Sequence, residues 1–453
     1  MKNCSARYKL DNVANPNLYK DIFPYDEIPK IIFDRVQVPM DIPEEIYITD
    51  TTFRDGQQSR PPYTSKQIIR IFDYLHQLDN DSGIIKQTEF FLYTEKDRTA
   101  AEKCMEKGYE FPEVTSWIRA NKEDFKLVKQ MGIRETGMLM SCSDYHIFKK
   151  LKMTRQEAVD LYLSVVKEAL NNGIHPRCHL EDITRADFYG FVVPFVTKLM
   201  ELSREANVPI KIRACDTLGL GVSYSGVAVP RSVQKIIHGL RTICGVPSDL
   251  IEWHGHNDFY SVVDNSTTAW LYGASSINTS ILGIGERTGN CPLEAMVFEY
   301  AQLKGNTKNM NLHVITELAE YFSREMKYDV PTRTPFVGKE FNETRAGIHA
   351  DGILKDEEIY NAFNTDKILG KPIVVAVNQY SGHAGIAAWI NTYYRLEGNN
   401  KIDKKDKRVN EIKLWVDEQY KLGRTTMIGN NELEMLVKKV MPEIMRKKEE
   451  RAS

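Results

Sequence analysis

The feature that most constrains the fold is an alternation of short apolar or β-branched runs with amphipathic stretches of helical length, which begins at Glu45. Eight runs of strand length follow one another over about 260 residues, and most are separated by a stretch long enough for a helix. The runs are 46–49, 83–91, 114–118, 137–140, 175–180, 209–214, 250–254 and 275–281. Two helical stretches are 65–78 and 154–171, and the second opens with a capping box of Thr154 and Glu157.

Eight strand–helix units predict an α/β fold, specifically a (β/α)8 TIM barrel. A doubly wound open sheet is the alternative, and the turn after the first strand lacks the GxGxxG pattern that a dinucleotide-binding version would carry. The remaining chain predicts four parts: an N-terminal extension (1–45), the barrel (46–304), a smaller, mainly helical lid and linker region (305–395) and a helical tail (396–453).

Composition narrows the class of partner. The 453 residues carry 60 Lys and Arg against 62 Asp and Glu, so the net charge of -2 gives no reason to expect nucleic acid or an anionic membrane. No apolar run is long enough for a membrane span, and the first residues lack a signal-peptide core. Seven scattered cysteines form no CxxC pair, which is typical of free thiols in a reducing compartment. We therefore expect a cytoplasmic protein that binds small molecules.

Polar and ionisable residues follow five of the eight predicted strands. These segments are 51–58, 181–185, 215–219, 254–258 and 283–290. In an α/β barrel the reactive groups lie at the carboxyl ends of the strands and in the loops after them. The five segments are therefore expected at one mouth of the barrel.

The most specific of these segments contains His254 and His256. Residues two apart on a strand point to the same face, so both imidazoles converge on one point. Two imidazoles and one carboxylate suit a catalytic divalent metal with open coordination positions, and Mn²⁺, Mg²⁺, Co²⁺ and Zn²⁺ are all admissible. Asp55 is the natural third ligand. In a closed barrel the first strand, which precedes Asp55, neighbours the eighth, and the seventh strand with the two histidines lies just beyond it. Structural imidazoles are the alternative interpretation.

Three other residues have more than one interpretation. Arg54 could polarise a substrate carbonyl and stabilise the resulting oxyanion, it could form a salt bridge to a barrel carboxylate such as Glu181, or it could do both. Glu181 could orient a base, act as an acid or base itself, or pair with Arg185. His349 lies between glycines in a predicted loop, which suits a lid that carries a base, although a lone histidine is also common as a surface or capping residue.

Six motifs occur in one order and together resemble the isopropylmalate/homocitrate synthase family of metal-dependent barrel enzymes. They are Thr52–Gln58, Glu181–Asp182, Asp216–Gly219, His254–Asp258, Gly285–Asn290 and Gly347–His349. The resemblance spans about residues 46–390. The segments RDGQQSRPPYT (54–64) and HGHNDFY (254–260) are most similar to the citrate-forming branch of that family.

The resemblance implies a Claisen condensation in which the enolate of acetyl-CoA attacks the ketone of a metal-chelated 2-oxo acid and the thioester is then hydrolysed. It favours Mn²⁺ or Co²⁺ over Mg²⁺ or Zn²⁺, and it implies a homodimer in which the lid of one chain covers the barrel of the other. The implied metal ligands are Asp55, His254, His256 and Asn290. The implied catalytic residues are Arg54, Glu181, His349 and Tyr360. The candidate substrate-binding residues are Gln58 and Thr217, which resemble family contacts, and His146 and His179, which lie near predicted strand ends.

The acceptor is expected to be oxaloacetate, with 2-oxoisovalerate, 2-oxoglutarate and pyruvate as alternatives. Only 58 residues follow Arg395, too few for the leucine-sensing domain of isopropylmalate synthases. The arginine that homocitrate synthases place near Ile147 is absent, whereas Arg177 and His179 suit a shorter second carboxylate. A hydroxymethylglutaryl-CoA lyase-like enzyme would carry a cysteine within the loop after the eighth strand, but here Cys291 follows that loop. A non-catalytic scaffold is the remaining alternative.

Overall fold

A computed structural model describes residues 8–396 and 398–444. The chain divides into two compact units, Met1–Asn311 and Leu312–Ser453. The predicted boundaries at 45, 304 and 395 stay a prediction of the domain organisation. Cys4 lies outside the described residues, and the six described cysteines are buried free thiols.

The first unit is built on a closed barrel of eight parallel strands, each paired with its neighbours in chain order and β8 paired with β1. The strands are β1 (Tyr47–Asp50), β2 (Ile85–Phe91), β3 (Glu113–Ile118), β4 (Glu135–Ser141), β5 (His175–Glu181), β6 (Lys211–Asp216), β7 (Ile251–Gly255) and β8 (Ser276–Thr279). All eight predicted strands are confirmed, and so is the TIM-barrel class.

A helix follows each strand and covers the outside of the barrel. The helices are α1 (Ser65–Asp79), α2 (Glu95–Met105), α3 (Phe125–Gln130), α4 (Arg155–Asn171), α5 (Val193–Ala206), α6 (Val233–Thr242), α7 (Val262–Leu271) and α8 (Leu293–Lys304). The predicted capping box of α4 is confirmed, because Thr154 accepts from the Glu157 amide and the Glu157 carboxylate accepts from the Thr154 amide.

The apolar core lies between the strands and the helices, and the barrel interior is polar. Alternate strand residues such as Met138, Leu180 and Trp253 are fully buried and face the helices. Their neighbours in the strands, including Arg177 and Glu252, are buried inside the barrel. This interior differs from the branched aliphatic layers that are typical of TIM barrels.

The N-terminal segment packs along the first unit. The amide of Asp11 donates to the carbonyl of Gly190 (2.9 Å), and the amide of Asp34 donates to Gly226 (3.1 Å). Arg155 on α4 donates to the carbonyl of Asp11 (2.9 Å). The described part of the segment is therefore anchored to the loops after β5 and β6 and to α4.

The second unit is mainly helical around its own apolar core. Its helices are α9 (His313–Arg324), α10 (Gly347–Lys355), α11 (Thr365–Leu369), α12 (His383–Tyr393), α13 (Lys407–Lys421) and α14 (Asn430–Val440). Two short strands, β9 (Glu343–Thr344) and β10 (Val374–Val375), pair in parallel. Side chains such as Ile386, Trp389 and Val437 form the core. Across the described ranges, every helix is too short or too polar to cross a bilayer.

The loop predicted around His349 is wrong, because His349 is the third residue of α10. The two flanking glycines do not break this helix. Gly352 instead allows a close approach, since a Cβ there would lie 2.4 Å from a ring carbon of Tyr360. The catalytic role of His349 stays a prediction, and its backbone is regular helix.

Candidate active site at the barrel mouth

Three predicted metal ligands meet at the carboxyl end of the barrel. Asp55 lies in a helical turn, Thr52–Gly56, directly after β1, while His254 is in β7 and His256 follows that strand. Their ligand atoms all lie within 4.8 Å of one another, and all three side chains are buried. The Nε2 atoms of the two histidines are 3.3 Å apart, and His256 Nε2 is 3.8 Å from Asp55 Oδ2.

The hydrogen-bond partners of His254 fix its tautomer. Its Nδ1 lies 2.8 Å from the side-chain oxygen of Asn278, whose amide nitrogen donates to Thr49 (2.9 Å). Nδ1 must therefore carry the hydrogen, which leaves the Nε2 lone pair directed at the centre of the trio. Burial, with His256 as the next cause, lowers the pKa of His254 to about 3, so the ring is neutral.

These residues fit a divalent cation. Burial alone would raise the pKa of Asp55, but Arg54, His254 and His256 outweigh burial and hold that pKa well below its usual range. Asp55 Oδ2 is buried and accepts a hydrogen bond from no residue that the structure describes. An ionised carboxylate and two neutral imidazoles with converging lone pairs are a donor set that a metal ion satisfies.

Asn290 lies beside this trio, as the resemblance implied. It forms an isolated bridge with His256, and its side-chain oxygen is buried without a donor among the described residues. A Cβ at Gly285 would lie 2.5 Å from that oxygen, so glycine is required to leave room for the amide. Asn290 is thus available as a fourth ligand or as a neighbour of the metal shell.

Arg54 is held beside the trio by two carboxylates and an aromatic ring. Its Nη1 donates to Asp55 (2.5 Å), its Nε lies 3.5 Å from Glu89, and its guanidinium stacks 4.8 Å from the ring centre of Trp117. The alternative of a salt bridge to a barrel carboxylate is confirmed, but the partner is Glu89 in β2 and not Glu181. Burial alone would raise the pKa of Glu89, but Arg213, Arg177 and Arg54 lower it to about 2.

The trio and Arg54 line a cavity of about 220 Å³, which also contains several predicted substrate and acid–base residues. Those that line it are Gln58, His179, Glu181 and Thr217. Glu181 accepts hydrogen bonds from Ser141 and Lys150, and it lies 2.9 Å from Nδ1 of His146. The alternative pairing of Glu181 with Arg185 is wrong, since Arg185 binds Asp182. His146 does not line the cavity itself, but it contacts Glu181, which does.

His179 lines the cavity directly and is buried. Burial, followed by Arg213 and Arg177, lowers the pKa of His179 well below its usual value, so this ring is also neutral. Arg177 Nε donates to His179 Nε2 (3.3 Å), which places the hydrogen on Nδ1. A Cβ at Gly137 would lie 2.5 Å from His179 Nε2, so the glycine leaves room for the imidazole.

The two predicted lid residues lie together in the second unit. The ring centres of His349 and Tyr360 are 4.3 Å apart, and both side chains are exposed. His349 and Tyr360, eleven residues apart in the sequence, are therefore in contact in the structure.

Sequence reasoning missed three residues of the barrel site: Glu89, Asn278 and Arg213, which lines the cavity beside His179. Each stands alone in its strand, with no motif around it. The signal was a charged or amide side chain at an inward-facing position of a predicted strand, as in Thr88-Glu89-Phe90.

Comparison with known proteins agrees with the fold and the motifs. The model of the HMGL-like family matches residues 45–321. The chain is 78% identical over 453 residues to the citrate (Re)-synthase of Clostridium kluyveri, covering all of both chains. It is 52% identical over 438 residues to the citrate (Re)-synthase of Syntrophus aciditrophicus, covering 97% of this chain and 70% of the relative.

Among solved structures, the hydroxymethylglutaryl-CoA lyase of Pseudomonas aeruginosa has the same barrel fold. It aligns with a TM-score of 0.51 at 16% identity, covering 64% of this chain and 95% of the lyase. The predicted family resemblance is confirmed by the family model and by these two relatives, which match 97% or more of this chain. The chain belongs to the HMGL-like family of barrel proteins, on the branch that it shares with the citrate (Re)-synthases.

Proposed function

We propose that this protein condenses acetyl-CoA with oxaloacetate to give citrate and CoA. The observation that carries the proposal is the 78% identity, over the whole chain, to a relative named citrate (Re)-synthase. The buried trio of Asp55, His254 and His256 beside Arg54 supports it, because a condensation on a 2-oxo acid needs an electrophilic centre at the ketone.

A divalent ion held by Asp55, His254 and His256, with Asn290 beside it, would act as a Lewis acid on the carbonyl of the acceptor. Mn²⁺ or Co²⁺ is our first proposal for the ion, followed by Mg²⁺ or Zn²⁺, because mixed imidazole and carboxylate ligands accept all four.

Arg54 is proposed to stabilise the oxygen of the ketone as it gains negative charge. Its guanidinium is already fixed by Asp55, Glu89 and Trp117, so little reorganisation is needed during the reaction. Glu181 is proposed to move protons at the cavity wall. Burial alone would raise its pKa, but the hydrogen bond from His146 and further contacts lower it to about 2, so Glu181 starts as a carboxylate.

His349 is proposed to remove a methyl proton from acetyl-CoA, with Tyr360 beside it. The methyl carbon then bonds to the ketone carbon, the resulting alkoxide takes up a proton, and water cleaves the thioester of the citryl product to release CoA. The proposed assembly is a homodimer in the cytoplasm, which agrees with buried free thiols and with the family resemblance.

The test is thiol release from acetyl-CoA under anaerobic conditions with Mn²⁺. Oxaloacetate, 2-oxoisovalerate, 2-oxoglutarate and pyruvate are supplied separately, and we expect turnover to prefer oxaloacetate. Preference for another acceptor would overturn the substrate and keep the condensation chemistry. No thiol release with any acceptor, from protein that binds the metal, would overturn the condensation and favour a lyase.

A further inference from the structure

The barrel interior beneath the metal-ligand trio is filled by charged side chains. Three carboxylates and three cations pair there, and all except the partly exposed Lys211 are buried: Glu89, Glu135, Glu252, Arg177, Lys211 and Arg213. Burial of charge is costly unless every group is paired and hydrogen-bonded. An incompletely paired member of this network is therefore a candidate ligand-binding group.

Arg177 is fully paired within the protein. Its Nη1 donates to Glu135 (2.7 Å), its Nη2 donates to Glu89 (2.6 Å), and its Nε donates to His179. It is also absent from the cavity wall. The sequence favoured Arg177, together with His179, for a polar pocket that binds a carboxylate. In the structure Arg177 supports the imidazole of His179 and has no nitrogen left for a ligand.

Arg213 is paired on one side only. Its Nε donates to Glu252 (2.5 Å), and its Nη1 lies 3.2 Å from both carboxylate oxygens of Glu89. Its Nη2 is buried and hydrogen-bonds to no residue in the described part of the chain. Arg213 nevertheless lines the same cavity as the trio.

The register of the sheet places Arg213 just below the metal ligands. Cys215 of β6 is level with His254 of β7, and Arg213 is level with Glu252, which is one inward-facing layer deeper. Successive inward-facing residues are about 6.6 Å apart along a strand. A small acceptor held at the level of His254 would therefore direct its far end towards the guanidinium of Arg213.

We propose that Nη2 of Arg213 binds the second carboxylate of the acceptor and thereby selects a short 2-oxo dicarboxylate. This inference rests on the proposed function and names the residue that chooses the acceptor. A guanidinium with two sides fixed by carboxylates presents its remaining N–H groups in a set direction, which suits a carboxylate. A monocarboxylate such as pyruvate leaves those N–H groups buried and unpaired, and this is a strong basis for rejection.

The test is the binding of oxaloacetate and of pyruvate to the full-length protein with Mn²⁺, measured by calorimetry without acetyl-CoA. For R213Q we expect the Kd of oxaloacetate to rise about tenfold to a hundredfold, whereas the Kd of pyruvate should stay the same or fall. R213K keeps the positive charge but lacks the planar guanidinium. Its loss of affinity for oxaloacetate should therefore be smaller than that of R213Q. If R213Q fails to fold, R213K answers the question.

K211Q is the matched control. Lys211 is on the same strand, its Nζ binds Glu135 (2.7 Å) and Gln87 (2.9 Å), and it does not line the cavity. K211Q removes the same charge from the same network, and we expect both Kd values to stay within about twofold of wild type. An unchanged Kd for oxaloacetate in the Arg213 variants, or an equal loss in K211Q, would overturn the assignment. Failure of the proposed function is separate, because wild-type protein would then release no thiol with oxaloacetate.

Discussion

At the residue scale, the site depends on side chains that orient other side chains. Asn278 is the clearest example, because it determines which nitrogen of His254 is free to bind a metal. Thr49 accepts from the amide of Asn278 and itself donates to the buried carboxylate of Glu252. The orientation of His254 is thus set by a chain of hydrogen bonds that reaches across three strands.

Asn278→Ala should weaken metal binding while all the ligands remain. We expect the Kd for Mn²⁺ to rise about tenfold to a hundredfold, since outer partners fix the tautomer and orientation of a ligating histidine. The measurement is calorimetry with the purified protein. Asn265→Ala is the control, because Asn265 is equally buried but its amide donates to the carbonyl of Gly221. Equal Kd values for the Asn278 variant and wild type would contradict this role.

The clustering of the proposed metal ligands was predictable from the sequence, whereas the residues that support them were not. His254 and His256 stand two apart, so the period of a strand is enough to bring them together. Asn278 and Thr49 are 229 positions apart, and they meet only because β8 pairs with β1. Closure of the barrel is a long-range event, and no local pattern in the sequence specifies which isolated polar residues it brings into contact.

At the element scale, the N-terminal segment and α4 are joined by one buried arginine. Arg155 donates to Asp144 through two nitrogens (2.9 and 2.8 Å), to Asp187 (3.0 Å) and to the carbonyl of Asp11. Asp144 also accepts from the amide of Asn17 (2.7 Å). This one side chain therefore couples the segment to the loops after β4 and β5.

Arg155→Met should destabilise the first unit and loosen the N-terminal segment. The change leaves Asp144 buried without its countercharge, and we expect a loss of about 3 kcal/mol in the free energy of unfolding. Urea unfolding measures that loss, and limited proteolysis should show faster cleavage within residues 8–45. Lys149→Met removes an exposed cation nearby and should change stability by less than about 0.5 kcal/mol. Equal effects of the two variants would refute the coupling.

Helix α8 contains a second buried group with a measurable consequence. Glu294 accepts from the amide of Leu282 (3.1 Å) in the turn after β8, and burial raises its pKa to about 7. The folded protein therefore holds a proton that the unfolded chain releases above pH 4.5. Protonated Glu294 therefore contributes to the free energy of unfolding. This contribution is fully present below pH 4.5 and is lost as pH rises towards 7, at up to about 1.4 kcal/mol per pH unit.

Glu294→Gln keeps an acceptor for Leu282 and cannot ionise. We expect the melting temperature of the wild type to fall from pH 5 to pH 7 more steeply than that of the variant. The difference between the two melting curves, measured in buffers of equal ionic strength, isolates this one group. Parallel pH dependences would show that Glu294 does not titrate in this range.

The elements themselves were largely predictable. All eight strands were found because short apolar or β-branched runs alternate with stretches of helical length. The polar interior was missed, although β5 alternates in the sequence as Arg177-Cys178-His179-Leu180-Glu181. The helix at His349 was missed because glycine was taken as a breaker, whereas Gly352 lies in α10 where the ring of Tyr360 leaves no room for a side chain.

At the scale of the whole molecule, the proposed chemistry is divided between two units. Asp55 and Arg54 belong to the first unit, and His349 and Tyr360 belong to the second. His349→Ala should therefore abolish exchange of the methyl protons of acetyl-CoA with solvent and leave the Kd of oxaloacetate within about twofold of wild type. Isotope exchange followed by mass spectrometry measures the first effect. Continued exchange in the variant would exclude His349 as the base.

The proposed homodimer gives this division a further consequence, because each barrel would use the lid of the other chain. Asp55→Ala and His349→Ala are then each inactive alone, but a mixed dimer holds one barrel and one lid that are both intact. Random reassociation of equal amounts should restore about a quarter of wild-type activity, since half of the dimers are mixed and each has one working site. The experiment denatures and refolds the two variants together and separately. No recovery in the co-refolded sample, with dimers present by light scattering, would show that each barrel uses its own lid.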